Sequence, residues 1–309
     1  MNYPLVSIIT INFDHPEVTC QLLASLRKAT YQNFEIIVVD NASPNDDPAC
    51  IKETFPEIIF IQSKENLGFA GGNNLGIRIA KGKYILLLNN DTEVDPGFLE
   101  PLVAKFETNP QIGAVSPKIK FFHTPDTIQF AGISEFNPYT IRNKGIGYGE
   151  KDSGQFELDR LTAFVHGAAM MVPMDVIRKV GLMAECYFLY YEEHDWAARI
   201  KKAGYQLWYV HNSTVLHKES ISTGKISALK TYYMNRSRLL FLRRNVSGIT
   251  FPLALMYQLL VSIPKNALVF LLKGYPGHFK AYSNAVTWHI KHLLSKELHL
   301  QPNFTIDPT

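Results

Sequence analysis

Cysteine is scarce in this sequence. Cys20, Cys50 and Cys186 are the three, too few and too scattered for a disulfide framework or a zinc site. A reducing compartment is the expected setting. A strong excess of one charge is also missing. The formal net charge is only +3, so a general nucleic-acid-binding role is not expected. The opening residues MNYPLVSIIT put no basic residue ahead of their apolar run, and this argues against a signal peptide. No GxGxxG follows the first apolar run and no GxxxxGK[ST] occurs anywhere. A dinucleotide fingerprint and a P-loop are therefore absent.

What is present is enough apolar material for a sizeable core. Hydrophobic residues are 46% and charged residues 19% of the 309. Such a length fits about two domains, or one large α/β domain. Short apolar, β-branched runs stand at 5–11 (LVSIITI), 35–39 (EIIVV), 58–61 (IIFI) and 84–88 (YILLL). Helical patterns separate them at 16–28, near 47–54 and at 69–80. Buried strands alternating with helices predict parallel βαβ units, hence an α/β fold with a mostly parallel sheet.

The alternation stops after about residue 225. Residues 229–244 (LKTYYMNRSRLLFLRR) read as a helix, and residues 245–264 carry no charge. Lys265, a second apolar run and Lys273 follow. Pro252, Pro264 and Gln258 argue against a membrane span. Apolar runs flanked by basic residues predict a peripheral, interfacial contact instead. A soluble helical subdomain packed on the sheet is the alternative. The expected division is 1–225 for the α/β domain and 226–309 for a helical C-terminal region.

Ligands of an open parallel sheet bind outside the carboxyl ends of its strands. Those ends read TINFDHP, VVDNASPND, SKENLGFAGGNNLG and LLLNNDTEVD. Each alone could be turn chemistry. Four on one edge form a polar rim containing Thr10, Asn12, Asp40, Asn41, Asn89, Asn90 and Asp91. Asp40 is positioned to accept hydrogen bonds from a base or ribose, including a pyrimidine N–H. Asp91 suits a hard divalent cation bridging phosphate oxygens, or else a helix cap. The other acidic centre is YFLYYEEHDWAARIKKAGY, residues 187–205. Gly204 reads as the end of its helix, which puts Glu192, Glu193 and Asp195 in or before the first turn. Acids there complement the helix dipole. Aromatic neighbours would also raise a carboxylate pKa and help a general base.

The segments VSIITINF, VVDNASPND, ENLGFAGGNNLGI, LLLNNDTEV, HGAAMMV, FLYYEEHDWAARIKKAGY and VLHK occur in the order and spacing of family 2 glycosyltransferases. Over residues 4–245 the chain resembles the bacterial rhamnosyltransferase-type branch. The resemblance implies a GT-A fold, an inverting mechanism, a nucleotide-sugar donor, and Mg²⁺ or Mn²⁺. It implies that NND at 89–91 stands at the family's DxD position, with Asp91 the metal ligand and Asn89 an uncharged departure. It implies that His217 completes the metal site, and an imidazole suits Mn²⁺ better than Mg²⁺. Glu193 falls on the usual base position, with Glu192 the second candidate. Asp195 would orient the helix start or the acceptor, and Trp196 beside it is a substrate-binding candidate.

ENLGFAGGNNLG resembles the family's donor-side loop, with Asn66, Gly71, Asn73 and Asn74 as contacts, although Gly71-Gly72 could simply open the helix. HGAAMM resembles a segment lining the sugar pocket, with His166 and Gly167 as contacts. The implied reaction moves a sugar, rhamnose being one candidate, from a UDP- or dTDP-linked donor to a glycan or lipid-linked glycan. The implied pathway is bacterial surface polysaccharide assembly, at the cytoplasmic face of the membrane. A nucleotidyltransferase would want a Gly-rich basic loop where FDHPEV stands. A non-catalytic nucleotide-sugar binding protein would not need Glu192 and Glu193.

Overall fold

The structure, a computed structural model, describes residues 3–219, 227–295 and 298. The expected domain boundary at 225/226 lies outside the described residues.

The four apolar runs are strands: β1 (Val6–Asn12), β2 (Phe34–Asp40), β3 (Ile59–Gln62) and β4 (Tyr84–Leu88). Helices α1 (Pro16–Leu26), α2 (Ala49–Thr54) and α3 (Gly68–Ile79) connect them, and β1–β4 pair in parallel. The rest of the sheet is mixed. Strands β5 (Thr92–Val94), β6 (Ile112–Phe121), β7 (Thr124–Phe130), β8 (Arg160–Leu161), β9 (Ala169–Pro173) and β10 (Gln206–His217) extend it to ten strands. The order is β3-β2-β1-β4-β9-β6-β10-β5, with β7 on β6 and β8 on β10. β9 enters antiparallel between β4 and β6.

Both sheet faces are covered, which is why the parallel strands read as unbroken apolar runs. Alternate residues serve opposite sides, as a period of two requires. Ile8, Val38 and Leu86 pack with α1 and α4 (Leu99–Thr108). Ile9, Ile37 and Leu87 pack with α3, α5 (Met174–Val180) and α6 (Glu192–Lys202). The glycines of α3 set its depth. A Cβ on Gly76 would stand 2.5 Å from Ile9 Cγ2, and one on Gly72 would stand 2.9 Å from Ile11 Cδ1. Only bare backbone lets this helix lie so close to β1.

Register aligns the strand ends. Asn12 pairs with Asp40 and Asp40 with Gln62. Leu88 pairs with Ala169, so the Asn89 N–H reaches the Ala168 carbonyl at 2.9 Å. His217 lies opposite Thr92.

The C-terminal helices are α7 (Ala228–Asn245), α8 (Thr250–Tyr257), α9 (Ile263–Leu272) and α10 (Pro276–Lys291). Helix α7 docks on the segment before α6. Arg236 donates to the carbonyls of Cys186 and Tyr187, and Ser237 Oγ to that of Leu189 at 2.9 Å. A π turn, Gln258–Ser262, joins α8 to α9. Pro264 explains it: proline lacks an N–H and clashes with the carbonyl four residues back, so the turn widens. Among the described residues Thr250–Leu272, 23 residues, is the one helical stretch long and apolar enough to cross a membrane. Its apolar side chains are largely uncovered, with Leu260 70% and Leu272 77% exposed.

Candidate active site

A cavity of about 500 Å³ opens at the carboxyl edge of the sheet. Asn41, Asn66, Asn73, Asn89, Asn90, Asp91, His166, Gly167, Glu192, Glu193 and His217 line it, as expected. Thr10, Asn12, Asp40, Gly71, Asn74, Asp195 and Trp196 do not.

Each of these seven is held away from the cavity for a physical reason. Asp40 is fully buried and its carboxylate is saturated. It accepts from Asn12 Nδ2 at 2.8 Å, Ser43 Oγ at 2.6 Å, Ser43 N at 3.2 Å and Gln62 Nε2 at 2.5 Å. Asn12 is the other half of that latch and also accepts from Thr19 Oγ1 at 2.7 Å. Thr10 is buried two pairs deeper in the strand. Gly71 lies within α3, where a Cβ would stand 2.6 Å from Leu67 Cβ. Asn74 bonds both the N–H and the carbonyl of Met183, at 3.1 and 3.0 Å, and so pins α3 to the chain beyond α5.

Asp195 follows Glu193 by two positions, about 200° around the helix, and so faces away from the cavity. It is 1% exposed and holds Arg199 and Arg244 at 3.0 Å each. Burial pushes its carboxyl up, but the two guanidinium groups bring it below the usual range. Trp196, fully buried, donates to the Gly181 carbonyl at 2.9 Å.

At one end of the cavity His217 Nε2 lies 3.1 Å from Asp91 Oδ1. That oxygen is buried without a hydrogen-bond partner. On its far side the His217 ring meets Gln129 of β7, Nδ1 to Oε1, at 2.8 Å. An amide oxygen only accepts, so Nδ1 carries the proton and Nε2 presents a lone pair toward Asp91. An unsatisfied carboxylate oxygen beside an imidazole held in the metal-binding tautomer fits a divalent cation.

At the other end stand the two glutamates. Glu192 is 4% exposed and its Oε2 has no partner. Burial, then the neighbouring charge of Glu193, pushes its carboxyl well above the usual range, so it is neutral. Glu193 goes the other way. Burial raises it, but the His194 imidazole more than offsets this and the carboxyl falls below its usual range. His194 Nδ1 lies 3.0 Å from Glu193 Oε1, close but out of line for a hydrogen bond. Asn143 Nδ2 meets His194 Nε2 at 3.3 Å and so ties the ring to the loop 137–143. The expectation of a raised pKa at Glu193 is therefore corrected: the raised acid is Glu192.

His166 and Gly167 span the two ends. The His166 ring lies 6.1 Å from that of His217, and a Cβ on Gly167 would stand 3.8 Å from Glu193 Cδ. Burial, then His217, lowers His166 to about 3, so it is neutral. Its Nδ1 accepts from Ala168 N at 3.1 Å, leaving Nε2–H as a donor.

The chain entering α6 is strained. Phe188, Tyr190 and Tyr191 have φ of 65°, 65° and 74°. Bulky residues adopt this region only where surrounding contacts impose it, at about 1–3 kcal/mol each. Gly68 accommodates the turn: its φ is 68° and any Cβ would overlap the Phe188 carbonyl. Sequence reasoning missed Gln129, Asn143 and His194. Only His194, inside the acidic motif, carried a local signal.

Residues 7–181 match the family described as Glycosyl transferase family 2. The N-acetylglucosaminyl-diphospho-decaprenol L-rhamnosyltransferase of Mycobacterium tuberculosis is 24% identical over 265 residues, 79% of this chain and 85% of that protein. The O-antigen biosynthesis protein RfbC of Myxococcus xanthus is 27% identical over 227 residues, 71% of this chain and 18% of that protein. Among solved structures, GalNAc-T7 with UDP, GalNAc and Mn²⁺ superposes with a TM-score of 0.65 at 15% identity, covering 94% of this chain and 58% of that one. The mannosyltransferase PcManGT from Pyrobaculum calidifontis, with GDP-Man and Mn²⁺, superposes at 0.56 and 16% identity, covering 96% and 89%. Identities this low establish the GT-A fold alone. The family match sets the nucleotidyltransferase alternative aside. Because it runs through more than half of the chain, from β1 past the end of α5, the protein belongs to glycosyl transferase family 2.

Proposed function

We propose that the protein transfers a sugar from a nucleoside-diphosphate donor to an acceptor hydroxyl, inverting the anomeric carbon. The observation that carries this is one cavity with an Asp91–His217 pair at one end and the Glu193 carboxyl at the other, bridged by His166 and Gly167. In this reading Glu193 accepts the proton of the acceptor hydroxyl as its oxygen attacks the anomeric carbon. The bond to the donor phosphate breaks and the nucleoside diphosphate leaves on the opposite face. Neutral Glu192 adds no competing negative charge. Asp91 Oδ1 and His217 Nε2 would hold Mn²⁺ or Mg²⁺, with imidazole favouring Mn²⁺. Such an ion offsets the charge of the donor diphosphate and of the leaving group.

The donor is UDP- or dTDP-linked, with rhamnose one candidate sugar, and the acceptor is a glycan or lipid-linked glycan. The name of the mycobacterial relative supports rhamnose and a lipid-linked acceptor, that of RfbC supports a role in surface polysaccharide assembly, and the UDP bound to GalNAc-T7 supports a uridine nucleotide. The exposed apolar face of α8 and α9, flanked by Lys265 and Lys273, supports peripheral contact at the cytoplasmic membrane face. A screen of sugar nucleotides with Mn²⁺ or Mg²⁺, reading release of nucleoside diphosphate, tests the proposal. UDP or dTDP sugars should lead. Folded protein that releases nothing from any donor sinks it.

A further inference from the structure

A second polar centre lies where the loop 137–143 meets the C-terminal helices. Ile141 has φ 52°, which a β-branched residue adopts only under constraint. Its side chain is 1% exposed, its N–H donates to the Asn137 carbonyl at 2.9 Å, and the Tyr191 hydroxyl donates to its carbonyl at 3.3 Å. From the other side Gln258 Nε2, buried in the π turn, donates to the carbonyls of Tyr139 and Thr140 at 3.2 Å each. The residues this strained turn presents are Arg142, exposed, and Asn143, which lines the cavity and meets His194.

Arg238 of α7 lies one turn before Phe241, whose ring is 5.8 Å from that of Tyr191, and the Tyr191 hydroxyl meets the Ile141 carbonyl next to Arg142. Its Nη2 donates to Asn235 Oδ1 at 2.6 Å, while its Nε is buried without a partner. The other arginines of α7 are engaged: Arg236 with the Cys186 and Tyr187 carbonyls, Arg243 with those of His292 and Leu293, Arg244 with Asp195. Neither Arg142 nor Arg238 has an ion-pair partner among the described residues. Burial pulls the Arg238 guanidinium below its usual range, and Arg142 adds to the effect. A half-buried guanidinium with a buried, unpartnered Nε and no carboxylate paired to it is a ready donor to an anion.

We propose that Arg142 and Arg238 form a subsite for the diphosphate of a lipid-linked acceptor, beside the Glu193 end of the cavity. Guanidinium forks match phosphate oxygens. The exposed apolar side chains of α8, Leu253 and Met256 among them, continue from Tyr257 and suit the hydrocarbon beyond the phosphates. Asn143, next to Arg142, ties the subsite to His194 and thus to Glu193. The inference rests on the reading of Glu193 as facing the acceptor.

The test uses geranyl diphosphate, a soluble isoprenyl diphosphate, with the full chain in EDTA so that no metal assists binding at Asp91. Geraniol is the neutral control. The variants are Arg142→Gln, whose exposed position makes folding safe, Arg238→Gln, and the pair. Wild type should bind geranyl diphosphate and not geraniol. The double variant should lose at least about tenfold in affinity, as expected for charge-assisted hydrogen bonds, while nucleoside diphosphate binding with Mn²⁺ stays unchanged. No binding by wild type, equal affinity in the double variant, or equal loss for geraniol overturns the subsite. If the variants instead lose flotation on anionic vesicles at unchanged geranyl diphosphate affinity, the arginines serve phospholipid headgroups and the proposal fails. The readout involves no sugar transfer, so its failure is distinct from a donor screen in which nothing is released.

Discussion

The sheet and the helices after residue 245 treat apolar and charged groups in opposite ways. In the sheet, strands are buried on both faces and even the polar edge closes on itself, as Asp40 does with four donors. Beyond α7 the apolar side chains of α8 and α9 face outward, and Arg238, between those helices and the loop, has an unpaired Nε. The first region is complete without a partner; the second is not. Only the side of helix α7 that faces α6 belongs with the first. Its Arg236, Ser237 and Arg244 hold the Tyr187 carbonyl and Asp195, directly behind the glutamates. A cut at 225 would therefore remove part of the support for the site, and a test of the helices should cut after α7.

The sharpest way to break the comparison is inside the cavity. Glu193→Gln keeps the side chain's size and removes the proposed base, so turnover should fall about 10²–10⁴-fold with donor affinity little changed. Glu192→Gln should cost far less, because Glu192 is already neutral and an amide resembles a protonated acid. Steady-state rates decide it, and a dead Glu192→Gln beside an active Glu193→Gln would exchange the roles. Since Glu193 must be ionised and its carboxyl lies below the usual carboxylate range, the rate should hold through neutral pH and fall only on acidification past that range.

Next in size is the joint between α7 and α6. Arg244→Met leaves Asp195 with Arg199 as its one remaining ion-pair partner. Breaking a buried pair typically costs about 3–5 kcal/mol, which denaturant unfolding would report. A change under about 0.5 kcal/mol would mean that α7 is not coupled to the site. The Asp195 carboxyl is lowered in the folded state, so its contribution is present above the unfolded pKa of about 3.9 and is lost as pH falls through the folded value. A third change, Gln129→Leu, frees the tautomer of His217. Loss of such outer support usually weakens metal binding about 10–100-fold, measurable by Mn²⁺ titration. Unchanged affinity would remove the pair from any metal site.

How much was legible follows the same division. β1–β4 were readable because strands buried on both faces leave uninterrupted apolar runs. β6 was not, since IGAVSPKIKF carries a proline and two lysines. Lys118 is buried there only because Asp152 and Glu157 come to it through the fold. The acid motif was readable as a cluster. Which acids face the cavity was not, because helix phase and the pull of Arg199 and Arg244 separate Glu193 from Asp195. Asp40 looked like a ligand contact; the register that supplies Asn12 and Gln62 is invisible in one strand. Gln129 and Asn143 arrive from β7 and from a loop, with no local pattern. The family match ends at residue 181, so the proposed roles of Glu193 and His217 stand on motif spacing and on the cavity.

The smallest expected effect concerns the exposed helices, and it separates surplus surface from structure. Leu260 is 70% exposed in the π turn. Leu260→Asn removes almost no burial from the folded protein, so its stability should stay within about 0.5 kcal/mol of the original. If the helix lies in a lipid interface, the same change removes part of the 1.5–3 kcal/mol typical of burying a leucine side chain. A side chain inserted about halfway would lose roughly 1 kcal/mol, or about fivefold in partitioning onto anionic vesicles. Lys265 and Lys273 contribute through the lipid charge, so raising the salt should weaken flotation of both proteins. Flotation that falls with unchanged stability would assign this face to the membrane. Stability that falls with unchanged flotation would mean that Leu260 is covered in solution by protein, and the two regions would then differ less than their exposed surfaces indicate.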